Sequence, residues 1–438
     1  MSSTSNSVLI KNARFVVTSN PSDEILQNVS ILVRDGVIAE INPSSVTSDI
    51  DVFDASGHLI MPGLINSHTH LAMSLLRGWA EGVDLQGFLE RVWAAEGAIM
   101  DPETCALGTE LAAGEALLGG TTTALDMYFH PTATHRAAVR VGLRHIAGPI
   151  FLDFEGIDGL KWPDRIALAK NWPASAAEIG GPYIPLYFMP HSTYTDSPEH
   201  LTEVAALGKS MGARVHLHVS ETQMENEDVN TRFGKTPTEI LHDTKILNLP
   251  TVYGHGVHLS DSDIEISLAQ GASVAHCPGS NLKLNSGIAD IMKYKAAGLK
   301  VGLGTDGCSS SNDLDMWPVL RLAAHLVSLN HGAKSVDTSS IVRSATIESA
   351  EALGLGDRVG SIEVGKEADL IAIDLSALHL TPVHDVFALL VYTVGRSDVS
   401  DVWVAGNRVV QNRVLCHVDT ADLRARVEKR IKSLDSLK

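Results

Sequence analysis

LIMPGLINSHTH, residues 59–70, is an apolar run of strand length that ends in two histidines. Seven more such runs follow, at 121–128, 144–152, 183–189, 213–219, 251–253, 272–275 and 299–304, with helical segments between them. Strands that alternate with helices predict a parallel sheet, and eight of them predict an α/β fold of the (β/α)8 TIM-barrel type. Continuous apolar stretches such as IPLYFM, 184–189, agree, because parallel strands covered by helices are buried on both faces.

Outside this middle the texture changes to short strands. Ser7 to Thr18 alternates, and Val29 to Ile41 reads as a hairpin around Asp35-Gly36, a pair that tolerates the positive φ of a tight turn. At the far end ADLIAID, 368–374, and VWVAGNRVV, 402–410, are strand-like, the latter turning at Gly406-Asn407. The two ends are therefore expected to pair into one small β-sandwich domain, residues 1–60 with 362–438, flanking a barrel of residues 61–361. Thr420 to Leu434 has helical apolar spacing among Arg and Lys and predicts a surface helix.

Composition narrows the function. The 438 residues are 44% hydrophobic and 20% charged, which suits a large buried core. A net charge of −18 repels a phosphate backbone, so nucleic acid and anionic membrane are excluded as partners. No run nears 18 uncharged apolar residues, and no basic, then apolar, leader opens the chain, which predicts a cytoplasmic protein. The four cysteines form no C-x-x-C pair and read as reduced thiols.

In such a barrel the reactive groups stand where strands end. The first run ends in His68 and His70, the fourth in His191, the fifth in His218 and then Glu221, the sixth in His255, and the eighth in Asp306. Two residues apart on an extended strand, His68 and His70 face the same side and can share one cation. An isolated H-x-H is more often two polar loop histidines, but here the motif closes an apolar strand and four other strand ends answer it. His216 stands one layer below His218 and reads as a hydrogen-bonded core residue. Asp306 closes a run too apolar to hold an unpaired carboxylate, so it binds metal or caps a helix.

Three imidazoles and a carboxylate suit one divalent ion, zinc first, with iron or manganese as alternatives, and leave a position open for water. A water so placed is acidified towards neutrality. Glu221, three residues past His218, is free to serve as a proton donor.

PGLINSHTHLAMSLLRG (62–78), HLHVSET (216–222), VYGHGVHL (252–259), VAHCPGSNLKLNSG (274–287), LGTDG (303–307) and GSIEVGKEADLIAID (360–374) resemble the amidohydrolase superfamily. Within it they are similar to the aminohydrolase and chlorohydrolase branch that includes 5'-methylthioadenosine/S-adenosylhomocysteine deaminases. The resemblance implies zinc ligands at His68, His70, His218 and Asp306, a ring-protonating acid at Glu221, and His255 holding the attacking water or the tetrahedral oxygen. No lysine ends the fourth run, so one metal is implied rather than two. Glu96 and His191 match the groups that meet ribose in nucleoside deaminases, with Trp93 beside them, and DMYFHP (126–131) fits the same subgroup.

The activity so implied is hydrolytic deamination of an adenine nucleoside with a variable 5' substituent, by a homo-oligomer acting on a small molecule. Rival expectations are deamination or dechlorination of another heteroaromatic ring, such as 8-oxoguanine, a pterin or an s-triazine, and a non-catalytic scaffold. Arg165 is the one arginine between Pro149 and Trp172, and so the sole candidate there for a distant substrate carboxylate.

Overall fold

The structure, a computed structural model, describes residues 7–46 and 50–437. Its first strands are β1 (Val8–Val17), β2 (Ile25–Arg34), β3 (Val37–Ile41), β4 (Asp51–Asp54) and β5 (His58–Pro62). β2 and β3 form the expected hairpin, with Asp35 and Gly36 at φ of 50° and 81°. A Cβ on Gly36 would lie 2.6 Å from the Ala405 carbonyl oxygen, so glycine is required both for its φ and for that approach.

Gly63 follows β5, and its α-carbon packs where a Cβ would overlap Thr122 at 2.1 Å. The chain passes there into β6 (Leu64–Thr69), so the first apolar run serves two sheets. β6 pairs in parallel with β7 (Thr121–Asp126), and β7 with β8 (Arg144–Ala147). A second parallel sheet runs through β9 (Ile150–Phe151), β10 (Tyr187–Pro190), β11 (Arg214–Val219), β12 (Thr251–His255), β13 (Ser273–His276) and β14 (Lys300–Leu303), in that order.

The eight expected runs thus all carry strands, with two corrections. The run 144–152 is divided between β8 and β9 by Gly148-Pro149, where proline has no N–H to give the ladder. In 183–189 only the end is strand: Tyr183 is exposed, and its carbonyl accepts from Arg144 Nη1.

β15 (Leu370–Asp374), β16 (Val399–Val404), β17 (Asn407–Gln411) and β18 (Val414–Leu415) complete the chain's strands. β15 pairs antiparallel with β5, which joins the two ends of the chain into one nine-stranded sheet ordered β18-β17-β16-β15-β5-β1-β2-β3, with β4 on β1. Alternate residues of this sheet face two cores. Leu59, Met61, Ile371 and Ile373 pack towards the parallel strands, whereas Ile60, Leu370, Ala372 and Trp403 enclose a core with Ile10, Ile31 and Val33. The hairpin of β16 and β17 turns at Ala405-Gly406, one residue earlier than the sequence suggested, with both φ positive.

Helices α1 (Leu85–Ile99) and α2 (Pro102–Leu118) connect β6 to β7, capped by Asp84 and Asp101. Phe88, Val92, Ala95, Glu96 and Ile99 make the buried stripe of α1 at helical spacing. The final helix, Thr420–Ile431, is mostly exposed, yet it buries Leu423, and Arg426 spans both carboxylate oxygens of Glu110. Among the described residues no helix is long and apolar enough to cross a membrane.

Candidate active site

Hydrogen bonds behind the histidines decide which nitrogen each presents. Carbonyl oxygens only accept, so His70 Nδ1 donates to Met127 O (2.6 Å) and His218 Nδ1 to His191 O (2.9 Å). Both rings therefore turn a bare Nε2 inward. His216 Nδ1 donates likewise to Val252 O (2.9 Å), and burial keeps that ring neutral, so its Nε2 accepts from His68 Nδ1 at 2.7 Å. His68 then also offers an unprotonated Nε2, a buried atom with no hydrogen-bond partner. Burial holds the His68 pKa down to about 4.

These lone pairs converge. His70 and His218 Nε2 are 3.3 Å apart, and Asp306 Oδ1 lies 3.3 Å from His70 Nε2 and 3.4 Å from His68 Nε2. Four acceptors this close repel one another unless a cation lies between them, and three imidazoles with a carboxylate are a donor set for a borderline divalent ion. Ser280 and Ser310 hydroxyls donate to Asp306 Oδ2 at 2.6 and 2.7 Å, which fixes the carboxylate plane.

Glu221 and His255 stand beside this cluster. The His255 Nδ1 meets Asn281 Oδ1 at 2.8 Å, and its Nε2 lies 3.7 Å from Glu221 Oε2. Burial pushes the Glu221 pKa up. Glu225 holds the loop by accepting from the Glu221 amide at 2.8 Å. Ser220, His255 and Asp306 all sit at positive φ (50°, 69° and 62°), a region that non-glycine residues enter only when the surroundings hold them there.

A cavity of about 530 Å³ opens above. Its inner wall carries His70, His218, Glu221, His255 and Asp306, and Glu96 and His191 stand further along it. The Tyr128 hydroxyl donates to Glu96 Oε1 at 2.6 Å, and burial raises the Glu96 pKa to about 7. Trp93, 45% exposed, lines the mouth opposite Phe154.

Nine of the ten expected site residues are thus assembled at one place. Arg165 is not: it is fully buried, lines no part of the cavity, and its guanidinium is held bidentately by Asp158 at 3.0 Å on each nitrogen. His216 is buried and hydrogen-bonded as expected, but it sets the His68 tautomer rather than standing idle. Sequence reasoning missed Tyr128, Asn281, Ser280 and Ser310. Tyr128 and Asn281 follow the ends of the second and seventh strands, where the same reading of strand ends would have found them.

The chain belongs to the amidohydrolase family, which it matches over residues 59–409, and it is a hydrolytic enzyme. It is 37% identical over 432 residues to a 5-methylthioadenosine/S-adenosylhomocysteine deaminase of Caldanaerobacter subterraneus subsp. tengcongensis, covering 98% of each chain. A protein of the same name from Teredinibacter turnerae is 38% identical over 423 residues, with 94% of each covered. Among solved structures, an adenosine deaminase from Xanthomonas campestris with bound zinc superposes with a TM-score of 0.91 at 35% identity, over 98% of both chains. An atrazine chlorohydrolase from Arthrobacter aurescens, complexed with zinc, gives 0.88 at 26% identity, over 97% of this chain and 100% of that one.

Proposed function

We propose that this chain deaminates adenine nucleosides with a variable 5' substituent by hydrolysis: 5'-methylthioadenosine, 5'-deoxyadenosine, adenosine and S-adenosylhomocysteine. The products are the inosine analogue and ammonia. One observation carries the reading: three bare imidazole nitrogens and Asp306 Oδ1 converge at the base of a cavity that also holds Glu221 and Glu96. His68, His70, His218 and Asp306 would hold one divalent ion, zinc first. When bound, such an ion supplies Lewis acidity that lowers the pKa of water towards neutrality.

The chain's own residues supply the rest. Asp306 takes a proton from the attacking water, whose oxygen adds to the ring carbon bearing the amino group. Glu221, with its pKa raised by burial, gives a proton to the adjacent ring nitrogen. His255, oriented by Asn281, holds the tetrahedral oxygen. The C–N bond then breaks, ammonia leaves with the proton passed on by Asp306, and the hydroxyl proton returns to the Glu221 carboxylate as the ring carbon becomes a carbonyl. Glu96 Oε2 accepts from the ribose hydroxyls while Tyr128 fixes Oε1, and His191 bonds the sugar from the facing wall.

Towards the 5' side the wall is Leu85, Phe88, Leu89, Trp93, Phe154 and Ile157, and among the described residues no Lys or Arg lines the cavity. A homocysteine carboxylate there lacks a charge-assisted bond of roughly 1.5 to 3 kcal/mol. The three uncharged substrates should therefore exceed S-adenosylhomocysteine in kcat/KM. A purine nucleoside panel followed by loss of absorbance tests this. A preference for the homocysteine compound that Arg165→Ala abolishes would reverse the ranking, and equal rates on guanine-type or triazine substrates would discard the nucleoside reading.

The architecture proposed with it is a closed (β/α)8 barrel over residues 61–361 and a β-sandwich from 1–60 with 362–438. Support for closure comes from the first and last parallel strands, where the Asp306 amide donates to His68 O (3.0 Å) and Asn66 Nδ2 to Thr305 Oγ1 (2.7 Å). The second core enclosed by the nine-stranded sheet supports the sandwich. A homo-oligomer in the cytoplasm completes the reading, and sedimentation of the purified chain tests its assembly.

A further inference from the structure

Three buried titratable side chains outside the cavity take no part in the chemistry above. Asp126 ends β7, His145 lies on β8, and His135 lies on the helix Pro131–Val141. They form a row: Asp126 Oδ2 to His145 Nε2 at 2.8 Å, then His145 Nδ1 to His135 Nδ1 at 3.2 Å, with His135 edge-on to Trp172. A carboxylate accepts, so His145 Nε2 carries the hydrogen, and the other ring nitrogen of His145 meets His135. Apolar side chains would fill this space without desolvating a carboxylate, so the row needs a reason.

The other oxygen of Asp126 gives one. Oδ1 accepts from the Leu71 amide at 2.7 Å. Leu71 opens the 3-10 helix Leu71–Leu76, which receives no cap from its own N-terminal residue, His70. Two further bonds tie the same strand ends together, from the Met127 amide to Thr69 O (3.0 Å) and from His70 Nδ1 to Met127 O (2.6 Å). The backbone on both sides of His70 is therefore pinned to residues 126 and 127.

We infer that Asp126, held by His145 and backed by His135, is a positioning residue that fixes His70 for metal binding. It lines no part of the cavity and touches no substrate. This rests on the proposed reading of His70 as a ligand, and the test separates the two. Zinc affinity of the full chain is measured by competition with a coloured chelator, with melting temperature recorded alongside.

Asp126→Ala should weaken zinc by about 10- to 100-fold, the range usual when a ligand loses its support. Asp126→Asn keeps an acceptor for the Leu71 amide and should recover most of the affinity. Leu117→Ala, a core truncation in the neighbouring helix α2, should lower the melting temperature and leave affinity unchanged. His145→Leu, which frees the second oxygen, should weaken zinc by about 5-fold or more and carries the test if Asp126→Ala does not fold. Zinc bound by both Asp126→Ala and His145→Leu within twofold of the parent, or weakened as much by Leu117→Ala, overturns the inference. Should His70→Ala keep full affinity, the ligand reading itself fails.

Discussion

The two ends of the cavity are built from different materials. At the inner end the histidines leave strand termini, are buried or nearly so, and have their free orientation removed by a second hydrogen bond: His70 to Met127, His218 to His191, His68 to His216, His255 to Asn281. At the outer end the wall belongs to α1 and to residues 152–157, and it meets the cavity mainly with apolar side chains, Leu85, Phe88, Leu89, Trp93, Phe154 and Ile157, beside the carboxylate of Glu155. The difference teaches where each property resides. On the proposed reading, reaction type is set on the strands, and the tolerated substituent is set on a helix and a loop that can vary without disturbing them.

Substitutions at the two ends should therefore differ in kind as well as in size. The largest effect is expected at the ligands: His218→Ala should remove most of the bound ion, about one per chain in the parent, and lower turnover by at least ~10³-fold. Metal analysis beside kinetics checks it, and full occupancy in the variant would break the inner-end description. Next is Glu221→Gln, which keeps the shape but has no proton to give. Turnover should fall by about 10²- to 10⁴-fold while metal content survives.

Glu96, between the two ends, joins its proposed binding role to a stability effect with a definite sign. Its folded pKa of about 7 lies above the ordinary carboxylate value because burial disfavours the charge. The native state thus binds the proton more tightly, and stability present below the unfolded pKa is lost as pH rises towards 7. Glu96→Gln does not titrate, so it should gain stability over the parent at pH 8, on the order of 3 kcal/mol, and lose that advantage near pH 4. Melting curves at the two pH values read it. A constant offset would mean that Glu96 ionises as readily in the folded protein as in the unfolded chain.

The smallest effect belongs to the mouth. Trp93→Ala removes half of an aromatic pair and should raise KM for 5'-methylthioadenosine by about 3- to 10-fold, with kcat little changed. If kcat fell as far as KM rose, the outer wall would be shaping the reacting ring too, and the division between the ends would be less clean.

The inner end was also the legible one. A histidine or aspartate that closes an apolar run is conspicuous in sequence, and each of the five strand ends read that way contributes to the site. What stayed hidden depends on pairings far apart in sequence. Arg165 looked like a free cation because nothing in its segment announced that Asp158 would fold back onto it. His216 looked idle because its partner lies 148 residues away. Strand lengths suffered similarly: the run at 183–189 is apolar throughout, but only its last three residues, Tyr187 to Met189, lie in the strand Tyr187–Pro190.

The antiparallel pairing of β5 with β15 also has a consequence in time. β5 ends at Pro62 and β15 begins at Leu370, so on a ribosome adding roughly 5–20 residues per second the earlier strand waits about 15 to 60 s for its partner. During that interval β5 presents an unpaired edge bearing Leu59, Ile60 and Met61, and such an edge recruits foreign strands. A nascent chain stalled before residue 370 should thus be far more prone to aggregate, and more dependent on chaperones, than one that has passed it.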